Sequence, residues 1–161
     1  MDIETLSETI TKSLKSAAVE GEMEAQLQAV LQTIASAFEA QTATLHRADG
    51  GDQILHLVAC QGIPEKLIPI TQRIPFGKGM AGICAERLSP VSVCNLQTDD
   101  SGVARPAARE TGVAGAIVVP VLSDGDELVG TLGIGKAGEY EYSEKEVESL
   151  LSCARVLAAV L

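Results

Sequence analysis

Both ends of this chain carry apolar stripes at helical spacing, and most of what lies between them patterns as short strands. Within residues 22–40, Met23, Leu27, Val30, Leu31, Ile34 and Phe38 recur at three- and four-residue intervals. That spacing places them on one face of a helix. Ile3, Leu6, Ile10 and Leu14 form a shorter stripe upstream, and Gly21 separates the two. At the far end, Ser143-Glu144-Lys145-Glu146 spells a capping box, in which the serine caps a first-turn N–H and the glutamate reaches back. Val147, Leu150, Leu151, Ala154, Leu157 and Leu161 then continue a helical stripe. Amphipathic helices at both ends need a shared apolar surface, and one face of a sheet supplies it most simply.

The middle provides that sheet. Thr42 to Arg47 is a short β-type segment, Asp49-Gly50-Gly51-Asp52 is a turn, and Gln53 to Gln61 returns. Ile68 to Pro75 is expected to be extended, Pro90 to Leu96 to be a strand, and Gly115 to Leu122 to be β-rich. Asp124-Gly125 is a tight-turn signal, after which Glu127 to Ile134 pairs back. Short helices fit Met80 to Arg87 and Pro106 to Thr111, the second with proline at a favourable first position. Hairpin connections imply a mostly antiparallel sheet.

Composition excludes several classes. With 161 residues, 46% of them apolar, the chain suits one folded domain. Its longest apolar runs, such as Ala116 to Leu122, fall well short of the ~18 residues of a membrane span. The start, Met1-Asp2-Ile3-Glu4, lacks the basic and apolar regions of a secretion signal, so the expectation is a cytoplasmic protein away from membranes. A net charge of −10, no Trp, two Tyr and two Phe argue against nucleic acid, which needs clustered cations and stacking rings. The acidity sits at the ends: residues 1–40 and 138–161 carry net charges of −5 and −3, and residues 41–137 only −2. Cys60, Cys84, Cys94 and Cys153 lie at least ten residues apart, with no metal-binding pair among them, and pattern as buried apolar residues.

Several segments, in this order, resemble a known family. Pro75-Phe76-Gly77-Lys78-Gly79-Met80-Ala81-Gly82-Ile83 is similar to the glycine turn of GAF domains that leads into a ligand-side helix. Ser89 to Leu96 resembles the strand that follows, with Asp99-Asp100 in the next loop. Ala107 to Val113 resembles the short helix beside the family's pocket. Val118-Val119-Pro120-Val121 and Leu128 to Ile134 resemble its last hairpin. The likeness covers residues 22–161 and leaves 1–21 as an N-terminal helical extension. It implies an α+β, GAF/PAS-like fold with about six antiparallel strands. Long terminal helices would cover one sheet face, and short helices and loops would form a pocket on the other. It further implies a sensory or regulatory module that binds a small molecule, dimerises and signals to a protein partner through its helices. The alternatives are an interaction or dimerisation module without a ligand, and an enzyme that reduces free methionine sulfoxide.

The resemblance implies that Phe76, Cys94, Asp99, Asp100, Arg105, Arg109, Val118 and Thr131 are candidates to surround the pocket. Arg105 and Arg109 share a face if the short helix starts by Arg105, and two guanidiniums suit a small anion. Leu6, Ile10, Leu14, Leu27, Leu31, Leu150 and Leu157 are the candidate contacts of a homodimer. Gly77-x-Gly79-x-x-Gly82 matches the dinucleotide fingerprint, but that chemistry needs a strand before it, a long helix after it and a parallel unit around both. A tight turn and close packing explain the glycines better. The sulfoxide-reductase signature resembles Gly-x-Cys-Gly, where this chain reads Gly79-Met80-Ala81-Gly82, and Ser101 to Arg109 holds neither cysteine nor histidine. An enzyme is therefore not expected. No Asn-Lys-Phe-Asp-Glu motif of cyclic-nucleotide relatives is present, and neither His46 nor His56 has the adjacent cysteine of bilin binders. No metal, nucleotide or bilin is expected, and the ligand's identity stays open.

Overall fold

The computed structural model describes residues 2–15, 20–49 and 51–161. It builds one six-stranded antiparallel sheet from β1 (Thr42–Ala48), β2 (Ile54–Gln61), β3 (Arg73–Pro75), β4 (Val91–Val93), β5 (Gly115–Leu122) and β6 (Leu128–Lys136). The strand order is β3-β2-β1-β6-β5-β4. Each neighbouring pair is antiparallel, as the hairpin connections required. The helices are α1 (Leu6–Lys15), α2 (Glu20–Ala37), α3 (Ile68–Thr71), α4 (Gly79–Arg87) and α5 (Glu144–Ala158). Short 3-10 turns precede α1 and α3, and another spans Pro106–Thr111.

Alternation along the strands sorts side chains between two layers. Ala43 and Leu45 of β1, Ile117, Val119 and Val121 of β5, and Leu132 and Ile134 of β6 join α1, α2 and α5 in one core. Thr44, His46 and Val118 instead line a cavity against the short helices. β5 is buried from Gly115 through Val121, because both of its faces are covered. Pro120 has no N–H to donate, and it lies beyond Val118, the residue of β5 at which pairing with β4 stops.

The end helices pack as expected on one sheet face. Ser143 accepts from the Glu146 N–H at 3.2 Å, and Glu146 Oε1 accepts from the Ser143 N–H at 2.9 Å, completing the capping box. The Tyr140 hydroxyl donates to the same carboxylate at 2.7 Å. The seven residues expected at a dimer interface are each no more than 6% exposed within this single chain. Leu6, Ile10, Leu14, Leu27, Leu31, Leu150 and Leu157 fill the monomer's own core, so they offer a second copy no surface. Their stripes look broad because three helices and a sheet share them.

Other differences have local causes. Gly21 lies inside α2 rather than between two helices, and residues 16–19 and 50 are outside the described residues. Ile68 to Thr71 is helical, not extended. A residue before proline disfavours the helical region, which favours extension at Ile68. Pro69 instead occupies the first helical turn, where a missing N–H costs nothing. The strand expected over Pro90 to Leu96 pairs only over Val91–Val93, since the Asn95 side chain accepts from the Gln97 N–H at 3.0 Å and turns the chain. Among the described residues no helix is long and apolar enough to cross a membrane.

Candidate functional site

On the sheet face away from the end helices lies a cavity of about 170 Å³. Strands β1 and β5 form its floor with Thr44, His46 and Val118. The α3 segment covers it with Leu67, Ile70 and Thr71, and Ile74 of β3 closes one side. Met80 and Ala81 of α4 and Ala104, Ala107, Ala108 and Thr111 of the Pro106–Thr111 segment close the rest. The walls are mostly apolar. Ile70, at 44% exposure, marks the opening.

The glycine turn positions α4 against this cavity. Gly77 and Gly79 both adopt positive φ, at 81° and 66°. A Cβ on Gly82 would stand 2.4 Å from the Pro75 carbonyl oxygen, so only glycine lets α4 approach β3 this closely. The fingerprint spacing thus serves a turn and close packing, as the sequence implied. The N–H groups of Gly79, Met80 and Ala81 in the first turn of α4 have no hydrogen-bond partner among the described residues, and Lys78 supplies no side-chain cap. Such groups give a helix start a partial positive charge.

His46 is the most constrained polar group at the site. It is 1% exposed, and its Nε2 lies 2.8 Å from the Thr71 carbonyl oxygen. A carbonyl only accepts, so Nε2 carries the proton and neutral Nδ1 is an acceptor. Burial lowers the His46 pKa, the Thr71 carbonyl partly restores it, and the charge of nearby His56 lowers it again. Among the described residues Nδ1 has no partner, and neither does Oγ1 of Thr131, which is 1% exposed and directly opposite His46 in the β1–β6 register.

The expected pocket residues separate into groups. Arg105 and Val118 line the cavity. Thr131 lies beside His46 but is not among the lining residues. Asp99, Asp100 and Arg109 line a different hollow, together with Pro106. Arg109 donates to the carbonyls of Leu96 (3.2 Å) and Asp99 (2.7 Å), so it holds the 96–109 loop together. The short helix begins only at Pro106, which leaves Arg105 outside it and splits the expected arginine pair. Phe76 and exposed Cys94 line neither space. Lys78, Thr44, Thr71 and His46 were not anticipated. The β1 alternation, Thr42-x-Thr44-x-His46 against Ala43-x-Leu45, carried the signal for two of these.

None of the four cysteines lines the cavity. Burial pushes the Cys84 and Cys153 thiols up to about 12 and raises that of Cys60. Asp49, Asp52 and His56 bring ligand atoms within 4.8 Å of one another beside the β1–β2 turn. They already form a hydrogen-bonded turn: Asp52 accepts from the Ile54 N–H at 3.0 Å and from His56 Nε2 at 2.8 Å.

An antiparallel six-stranded sheet, with terminal helices behind it and a glycine-turn cavity in front, defines a GAF-type module. The chain belongs to the GAF domain family, whose model matches residues 21–161. No curated protein matches it in sequence. Among solved structures it is similar to the GAF domain of a phosphoenolpyruvate-protein phosphotransferase from Coxiella burnetii, at 25% identity and a TM-score of 0.82, covering 99% of this chain and 92% of that one. A putative GAF sensor protein from Burkholderia vietnamiensis is 19% identical with a TM-score of 0.77, covering 97% of this chain and 90% of its own. Free methionine-R-sulfoxide reductase from Neisseria meningitidis, solved in complex with its substrate, is 22% identical with a TM-score of 0.74, covering 98% of this chain and 88% of its own. Proteins of this fold thus include a putative sensor and an enzyme, so the side chains of this cavity carry the functional argument.

Proposed function

We propose that this domain is a sensory module whose small-molecule ligand occupies the cavity over β1 and β5, and that it does not act as a thiol reductase. The observation that carries this reading is the cavity itself: about 170 Å³, mostly apolar, and lined by a fully buried histidine whose acceptor nitrogen has no partner among the described residues. A buried polar atom without a partner costs free energy, and a ligand that satisfies it recovers that cost. Thiol catalysis needs an accessible, activated thiolate. Burial holds Cys84 in the thiol form, and Cys94 is exposed away from the cavity.

Native mass spectrometry of gently purified protein, followed by NMR titration with a metabolite library, tests the reading. The expected result is a retained or added small molecule that shifts resonances of Thr44, His46 and Val118. A library that moves none of these would remove the sensory reading. Incubation with free methionine sulfoxide and a thioredoxin system is expected to give no turnover, and turnover that survives removal of contaminants would restore the enzyme.

A further inference from the structure

We infer that the ligand of this cavity is a small carboxylic acid with an apolar body, its carboxylate held at the start of α4 between Arg105 and Lys78. The inference rests on the cavity being a ligand site and adds the chemistry of what fills it. Three sources of positive potential meet there. The first is the N-terminus of α4, where the N–H groups of Gly79, Met80 and Ala81 are unpaired among the described residues. The second is Arg105, whose side chain lies across Gly79: a Cβ on that glycine would stand 3.2 Å from Arg105 Cγ. The third is Lys78, the residue immediately before the helix. All of these residues line the cavity.

Among the described residues no acid pairs with Lys78 or Arg105. Neither Lys78 nor Arg105 forms an ion pair or a side-chain hydrogen bond among the described residues, whereas Arg109 and Arg155 both do. The Glu86 carboxylate lies against Gly77 without bridging either cation. A helix start, a guanidinium and an ammonium thus border one opening with no acid paired to them among the described residues, and an anion there would meet all three.

The rest of the cavity limits the anion. Ile70, Ile74, Met80 and Val118 present apolar surface that a bare inorganic anion would leave unfilled. An apolar cavity of roughly 150 Å³ takes a body about the size of benzene, so the acid is a short one. Independently of the helix start, buried His46 lines the same cavity with Nδ1 unpartnered.

The test compares 4-methylpentanoate with its amide, with 2-hydroxy-4-methylpentanoate and with inorganic phosphate, by NMR titration of the whole chain. The acid is expected to shift the amides of Gly79, Met80 and Ala81 and to bind at least about tenfold more tightly than the amide. Inorganic phosphate is expected to bind about tenfold more weakly than the acid, because it leaves the apolar walls bare. The hydroxy acid is expected to shift His46 as well. Arg105→Gln and Lys78→Gln, at sites outside the core, should remove the preference for acid over amide. If either variant fails to fold, the acid–amide comparison on the unaltered chain still decides. Equal binding of acid and amide overturns the carboxylate while leaving the ligand cavity intact. Phosphate binding as tightly as the acid overturns the apolar body. Absence of any shift from all four probes overturns the inference, and the library titration then decides the sensory reading separately.

Discussion

His46 and Thr131 face each other across β1 and β6 with one unsatisfied polar atom each. Thr131→Val keeps the shape of the side chain and removes the orphaned hydroxyl. It is expected to be neutral or to stabilise by up to about 1 kcal/mol, read as a urea midpoint moving at constant slope. A loss of 1 kcal/mol or more would mean the hydroxyl is partnered in solution. His46 behaves differently because burial holds its folded pKa below its ordinary 6.5, against the partial support of the Thr71 carbonyl. The unfolded chain therefore binds the proton more readily, and stability rises with pH through that interval. The stabilisation is whole above 6.5 and is lost as pH falls below it toward the lowered folded value. His46→Ala should cost about 1–3 kcal/mol at neutral pH through the lost Thr71 hydrogen bond and the space left behind, and should flatten the decline below 6.5 in denaturation series run from pH 7.5 to 5. An unchanged decline in the variant would assign it elsewhere.

Elements differ in how locally they are encoded. The α5 capping box, the β1–β2 and β5–β6 hairpins and the α4 glycine turn rest on neighbours within a few residues, and all were legible. α3 was not, because the rule about residues before proline and the tolerance of proline in a first helical turn point opposite ways at Ile68-Pro69. Its helical form depends on covering the cavity and on His46 holding Thr71 from below. The split of Arg105 from Arg109 was equally hidden, since it turns on where a 3-10 segment starts and on carbonyls reached across the loop. Gly82 offers a direct check at this scale. Gly82→Ala would press a methyl group into the Pro75 carbonyl and is expected to destabilise by about 1–3 kcal/mol while displacing α4 from β3. A neutral result would show that the turn has slack.

Across the whole molecule, α1 is part of the same core as α2 and α5, so the chain up to Lys15 shares the stability of the rest. Ile10→Ala is expected to cost about 2–5 kcal/mol in a single unfolding transition, with the sedimentation coefficient of the folded protein unchanged. An early separate transition would show that α1 folds on its own terms. Layer order and strand order were readable because stripes and alternation report burial. The identity of each side chain's neighbours was not, since helical period alone cannot tell a face turned to a second copy from one turned to the chain's own sheet. The covering of β5 on both faces has one mechanical consequence. Val118 borders the cavity, while Ile117 and Val119 press on the helical layer. The two compartments are thus lined by successive residues of one strand, stepping roughly 3.3 Å along it from one face to the other. Anything wedged against Val118 loads the same length of backbone on which α5 rests, as a finger on one side of a drumskin moves what lies against the other.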